Sequence, residues 1–359
     1  MFGIEGFIGL DLSTSLQVVL LGFIGGVLSG FIGSGGAFFM TPGMMNLGVP
    51  GVIAVGSNIT HKFGKAMMGS RRHGEMGHVD KKLGLYMLIT AAIGIRIAVY
   101  LNEAFFQLKK GDNGADSGSA AGDLYISGIF VVILSVVSIS ILRDAIRTGK
   151  KDVGPSTRLA EFFSKVRIPP MITFETADVR LSLWTVLMVG LFTGYLAGTI
   201  GVGGFIGVPA MIYIFGVPTA VAAGTELFLA MFMGAWGAIN YAWGGFVDLR
   251  LVLLLYLGSL TGIYIGAYGT KVVKELMIRL VTGVIILLCV LSRLVNVPVY
   301  LRKLDLISIS AESDSLFNLL SKALLFASGI SGVIVILISV FRSYGRRRQV
   351  QEIIRKIHA

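Results

Sequence analysis

Apolar residues in this chain come in long runs separated by short charged segments. Neither the alternation of a half-buried strand nor the single stripe of a surface helix describes them. Runs of about 20 residues with almost no charge are long enough to cross a bilayer as helices. Residues 15–49 are one such run, too long for a simple span and interrupted by Gly30-Phe31-Ile32-Gly33-Ser34-Gly35-Gly36. Glycine is costly inside a helix, so the cluster predicts a helix, a break and a returning helix. Pro50 opens a helix over roughly 50–70, and further helices are expected at about 83–101 and 124–142. Between them lie a charged loop, 71–82, and a polar loop, 102–123, rich in Gly, Asp, Asn and Ser. Residues 143–180, with Pro155, Pro169 and Pro170, read as a linker. Beyond it, apolar segments cover about 182–217, 218–243, 251–269, 277–295 and 322–341, followed by a basic tail from Arg342 to Ala359.

The second half repeats the first at an offset of 168 residues, which brings Gly30 onto Gly198. At that offset Gly33 falls on Gly201, and Gly35-Gly36 on Gly203-Gly204. Gly48-Val49-Pro50 falls on Gly216-Val217-Pro218, Gly56-Ser57 on Gly224-Thr225, and Val79-Asp80 on Val247-Asp248. The register needs no gap over about 70 residues, and a duplication explains it.

Composition agrees with a membrane chain. The protein has 359 residues, 54% hydrophobic and only 14% charged, where a soluble domain carries roughly 25%. The net charge of +11 is not a nucleic-acid signature, because Lys and Arg cluster between the apolar runs and in the tail, as the positive-inside rule requires. Loop 71–82 has four Lys/Arg and its counterpart 239–250 only Arg250; linker 143–180 has eight and its counterpart 296–320 has Arg302 and Lys303. Equivalent loops are therefore expected on opposite sides. That predicts an all-α polytopic membrane protein of two inverted repeats, each a broken-helix hairpin plus three transmembrane helices, with an extra C-terminal helix. The divisions are 1–142 for the first repeat, 143–180 for a cytoplasmic linker, 181–296 for the second repeat and 297–359 for the extra helix and cytoplasmic tail. No basic stretch precedes the first apolar run, so a cleaved signal peptide is not expected. The lone Cys289 lies in an apolar run and reads as core packing.

Two features carry chemistry. A glycine-rich turn frees backbone N–H groups, and the helix after it points its positive dipole end at the same spot. Two such breaks facing each other suit an anion, through Gly33, Ser34, Gly35 and Gly36 on one side and Gly201, Gly203 and Gly204 on the other. The competing explanation is close helix packing through small residues. The second feature is a polar stripe, Asn58, His61, Lys62 and Lys65, at i, i+3, i+4 and i+7 on one helical face. A buried Lys faces a cavity or a partner, or else snorkels to the interface. Ser57, Asn58 and Thr225 are candidate hydrogen-bonding residues, with Lys62 and His61 as candidate charges. Glu226, the counterpart of Asn58, either pairs with Lys62 or carries a proton, and His61 is a second proton candidate. Arg96 lines an outer vestibule or reaches the interface. Asp80 and Asp248 read as helix N-caps. His73 and His78 lack further ligand types, so no metal site and no cofactor are expected.

The duplicated Gly-x-x-Gly-x-Gly-Gly clusters, the turns at Pro50 and Pro218, the Gly56-Ser57-Asn58 and Gly224-Thr225-Glu226 steps and the Val-Asp pairs resemble those of the sulfite exporter TauE/SafE family of anion permeases, over roughly residues 15–295. The resemblance implies transport of sulfite, sulfoacetate or related organosulfonates across the bacterial inner membrane. Glu226 in place of a small polar residue, the charges of His61-Lys62, the long linker and the extra helix depart from the family pattern. The expected function is a secondary transporter for a small sulfur-containing anion, working by alternating access, with proton coupling left open. Its partners are the anion, protons if coupled, and membrane lipid, without nucleic acid. An anion channel, an intramembrane hydrolase using His61 and a membrane sensor are the rivals. The first differs in proton dependence and turnover, the second needs a nucleophile beside His61, and the third needs the basic tail.

Overall fold

The structure, a computed structural model, describes residues 10–32, 36–108, 115–148, 168–201, 203–273 and 275–357. The apolar runs fold as helices throughout. In chain order they are α1 (Leu12–Ile32), α2 (Ala37–Asn46), α3 (Gly51–Glu75), α4 (Lys81–Gln107), α5 (Ala115–Thr148), α6 (Leu183–Ile200), α7 (Gly204–Tyr213), α8 (Thr219–Trp243), α9 (Leu249–Val272), α10 (Glu275–Lys303) and α11 (Ser313–Ile357). Eight of these helices hold a stretch long and apolar enough to cross a membrane. The chain is an all-α multi-pass membrane protein, with large apolar side chains such as Ile89, Val132 and Leu253 facing outward.

Both predicted breaks are present. α1 stops at Ile32 and the ten-residue α2 follows; α6 stops at Ile200 and the ten-residue α7 follows. Gly201 ends α6 at φ 76°, a backbone conformation that a residue with Cβ adopts only under strain. α2 runs back along α1: Gly36 lies against Gly25 and Ser29, Met40 against Gly25, and Gly43 against Leu21. The hairpin is lopsided, since α1 has 21 residues and α2 ten. The returning arm passes the middle of α1 at Leu21 and stops at Asn46, short of the start of α1.

The two halves pack by exchange. α1 pairs with α9 and α4 with α6, which are matching partnerships under the repeat, while α3 pairs with its own counterpart α8 and α5 with α10. The first two seams are glycine seams. A Cβ on Gly22 or Gly26 of α1 would lie 2.6 Å from the Leu255 carbonyl or 2.5 Å from that of Ser259. On α6, a Cβ at Gly190 would lie 2.5 Å from the Met87 carbonyl, and Gly194 abuts Ala91. Lipid supplies no hydrophobic drive between helices, so backbones that touch gain their stability from dispersion. Gly30 and Gly198, the first glycines of the two clusters, belong to these seams, facing Ile263 and Ile95.

A second set of contacts is reciprocal. The Asp80 N–H donates to Thr225 Oγ1 at 2.9 Å, and the Asp248 N–H donates to Ser57 Oγ at 3.1 Å. Beside them Gly56 presses on the Phe246 carbonyl and Gly224 on the His78 carbonyl. Asp80 and Asp248 also cap α4 and α9, accepting from the Leu83 N–H at 2.8 Å and the Arg250 N–H at 2.9 Å.

Several segments differ from the pattern's expectation. α4 and α5 take up much of the polar loop expected at 102–123, α5 runs on to Thr148 inside the expected linker, and α10 runs on to Lys303. α3 continues to Glu75 through a stretch expected to be loop, with Arg71 and Glu75 paired at 3.2 Å one turn apart. The linker contains an antiparallel hairpin, β1 (Met171–Phe174) and β2 (Val179–Ser182). It docks on α4, where Asp80 Oδ2 accepts from the Ala177 N–H at 3.0 Å and Phe174 is fully buried. The extra helix is one rod into the basic tail, whose Arg, Gln, Glu and Lys are good helix formers. α11 covers α10 and reaches α9, α2 and α1. Ser292 Oγ donates to the Ser321 carbonyl at 2.8 Å, and Asn46 Nδ2 donates to Ser292 Oγ at 3.1 Å, tying α2, α10 and α11. The fully buried Arg293 donates to Tyr300 and Ser321 hydroxyls, each at 3.3 Å.

Candidate functional site

A cavity of about 480 Å³ lies between the halves, walled by α1, α3, α7, α8 and α9. α3 supplies Lys62, Lys65 and Arg72, spaced so that all three lie near one helical face. Lys62 and Lys65 are half-buried and Arg72 is exposed, which places the mouth toward the C-terminal end of α3. α8 supplies Glu226, roughly 10 Å along the helix from Thr219. Ser29 of α1, Gly204 of α7 and Tyr264 of α9 complete the polar lining. Three cations face one carboxylate, so the space carries an excess of positive charge.

The break before α7 shapes the inner end. A Cβ on Gly203, the residue ahead of α7, would come 2.8 Å from Lys62 Nζ. One turn on, Gly207 lies directly against the Glu226 carboxylate. The glycines are therefore recesses that admit a charged group to the helix start. The Ile206 and Gly207 N–H groups donate to the Gly203 carbonyl at 3.1 Å; the amides ahead of Ile206 precede the helix's own bonding, and the helix dipole adds partial positive charge there. Lys62 thus sits at an already positive end, an arrangement that an anion relieves. Glu226 is 2% exposed, and neither carboxylate oxygen has a hydrogen-bond partner. Its charge and that of Lys62 are close enough to interact.

Of the residues singled out from the sequence, the structure gathers Lys62, Glu226, Gly203 and Gly204 at this cavity. Gly33, Ser34 and Gly35 lie outside the described residues. Gly36 is packed on α1. Asn58 donates to Thr41 Oγ1 at 2.8 Å, and Thr41 donates to the Ile200 carbonyl at 3.1 Å, a chain that joins α3 and α2 to the end of α6 beside Gly201. His61 points at α9, 2.8 Å from Ser259 Oγ and with its ring 4.6 Å from that of Tyr256. The hydroxyls of Ser57 and Thr225 are engaged by the backbone amides described above. Lys65 and Arg72 join the set; the i+7 spacing from Asn58 marks Lys65, while Arg72 falls in the charged stretch expected to be loop, into which α3 continues.

The approach from the opposite end is filled. Tyr241, fully buried, donates to the Gly198 carbonyl at 2.7 Å and accepts from Asn102 Nδ2 at 2.6 Å. Arg96 donates to Asn240 Oδ1 at 3.2 Å beside it. Under the repeat, Asn240 corresponds to Arg72 and Arg96 to Tyr264, so the filled end is built from the counterparts of the open one.

Comparison with known proteins gives one family and several relatives. The family described as "Sulfite exporter TauE/SafE" matches residues 18–293. The "Probable membrane transporter protein YdhB" of Bacillus subtilis (strain 168) is 24% identical over 269 residues, covering 74% of this chain and 94% of the relative. The "Probable membrane transporter protein YjnA" of the same organism is 26% identical over 259 residues, covering 71% and 89%. No solved structure matches the chain.

Proposed function

From the premise that this chain, a membrane transporter, belongs to the sulfite exporter TauE/SafE family, we propose that it carries a small sulfur-containing anion, such as sulfite or an organosulfonate, by alternating access. The observation that carries the reading is the meeting of Lys62, Lys65 and Arg72 with the start of α7 in one cavity between the halves. The amides ahead of Ile206 at the start of α7 and Lys62 hold the oxyanion in this reading, Lys65 adds charge behind it, and Arg72 draws anions to the mouth. Two inverted repeats give the motion its reason. One end is open and lined by α3 residues; the other is filled by the buried Tyr241, Asn102 and Asn240, and exchanging the roles of the repeats exchanges the ends. The excess of Lys and Arg in 71–82, 143–180 and the tail supports an open mouth and a C-terminus on the cytoplasmic side of a bacterial cell membrane, the inner one where there are two.

Counterflow of radiolabelled sulfite in proteoliposomes tests the reading. A half-buried cation at contact distance from a bound anion contributes about 2 kcal/mol after screening, so Lys62→Met should raise half-saturation roughly 30-fold. Its melting temperature should hold or rise, because the substitution removes a cation from the positive end of α7. Unchanged half-saturation in a folded Lys62→Met protein would remove this cavity from the pathway.

A further inference from the structure

We propose that Glu226 is the proton-carrying group of this cavity, and that its charged form and the transported anion exclude each other there. The inference rests on the reading of the cavity as the anion's site, and it adds the coupling ion and its ratio.

The geometry separates Glu226 from an ordinary buried ion pair. A structural pair places carboxylate oxygens on its cation at hydrogen-bond distance; here both oxygens are buried without a partner, and the group lies against glycine backbone at Gly207. A buried carboxylate with no hydrogen bond is costly to keep charged, and the neutral acid is far cheaper. α3 contributes Lys62, Lys65 and Arg72, α9 contributes Tyr264, and the linings from α7 and α1 carry no titratable group. His61 is turned to Ser259, while His73 and His78 lie by Gly224, beyond the Thr225 tether. Among the described lining residues Glu226 is the one acid.

An ionised Glu226 offers the lysines a fixed anion. A mobile anion at the same place meets like-charge repulsion in a poorly screened space. When a proton from the aqueous cavity binds a carboxylate oxygen, the lysines are left for the substrate. On the opposite side the O–H bond breaks, the proton returns to water, and the restored carboxylate displaces the anion. The repeat sets the ratio. The counterpart of Glu226 is Asn58, a neutral residue already bonded to Thr41. One proton therefore accompanies each anion in the same direction.

The test uses radiolabelled sulfite and proteoliposomes with the membrane potential clamped at zero. Wild-type protein should accumulate sulfite under an inward proton gradient. Glu226→Gln should lose that accumulation and keep counterflow within about threefold, and Glu226→Asp should restore accumulation. Gradient-driven accumulation by Glu226→Gln equal to wild type overturns the proposal. So does loss of counterflow in a Glu226→Gln protein with an unchanged melting temperature, since a neutral residue should leave the anion site open. A separate readout needs no substrate: the infrared spectrum of the wild type should show a titrating carboxylic C=O band that Glu226→Gln removes, and its absence at every pH overturns the assignment. Lack of sulfite counterflow by the wild type itself, with that band present, counts against the anion reading and not against the proton site.

Discussion

Thr225→Val distinguishes a residue that holds the halves together from one that binds substrate. The hydroxyl of Thr225 accepts from the Asp80 N–H at 2.9 Å, and both residues are buried, at 0% and 3% exposure. Valine keeps the shape and removes only the acceptor, so no cavity forms and packing is unchanged. What remains is a backbone N–H buried without a partner, which costs about 1–3 kcal/mol, or roughly a 5- to 150-fold smaller folded-to-unfolded ratio. The damage extends further, because Asp80 also caps α4 and holds the β-hairpin through Ala177. Denaturant unfolding of the purified protein in detergent measures the loss, and sulfite counterflow measures half-saturation in the same preparation. Stability should fall by the stated amount with half-saturation unchanged within about twofold. Stability within about 0.5 kcal/mol of wild type, together with a tenfold rise in half-saturation, would refute the reasoning and return the hydroxyl to the substrate's path.

Gly207→Ala adds a methyl group where the Glu226 carboxylate sits, while helix propensity alone would favour it by about 1 kcal/mol. The protein should fold and melt normally yet lose proton-driven sulfite accumulation, and full accumulation would deny the contact. Gly26→Leu wedges α1 from α9, where even a Cβ lies 2.5 Å from the Ser259 carbonyl; destabilisation of about 1–3 kcal/mol or more is expected by denaturant unfolding. Ser321→Ala removes a partner of the buried Arg293, so amide exchange across 313–330 should quicken, with counterflow kept.

Much of the architecture was legible in the chain. Hydropathy alone placed the spanning helices, because a backbone in lipid must satisfy its own hydrogen bonds and only a helix does so locally. The glycine clusters announced both breaks for an equally local reason. The caps at Asp80 and Asp248 followed from residue type and position. The hairpin at 171–182 leaves no clear signal in the sequence, because its strands are four residues each and its stability comes from docking on α4. Arg293 stands inside an apolar run with no partner legible in the sequence, and only the fold shows the hydroxyls of Tyr300 and Ser321 that receive it.

The site divides along the same line. Sequence by itself determined that Lys62 and Glu226 stand on apolar helices at a cost, that glycines recur at 168-residue spacing, and that one half matches the other, since these are statements about residue type and order. It could not apportion the polar residues between two jobs. Ser57 and Thr225 looked as fit for a ligand as Lys62 did, yet their hydroxyls meet amides 191 and 145 residues away in sequence. His61 read as a second charge beside Lys62 and instead faces Ser259, because a 100° step around α3 points the two side chains at different neighbours. Which side of a helix faces the cavity depends on the packing of α3 against α8 and α9, and that packing is set by contacts between residues far apart in the chain.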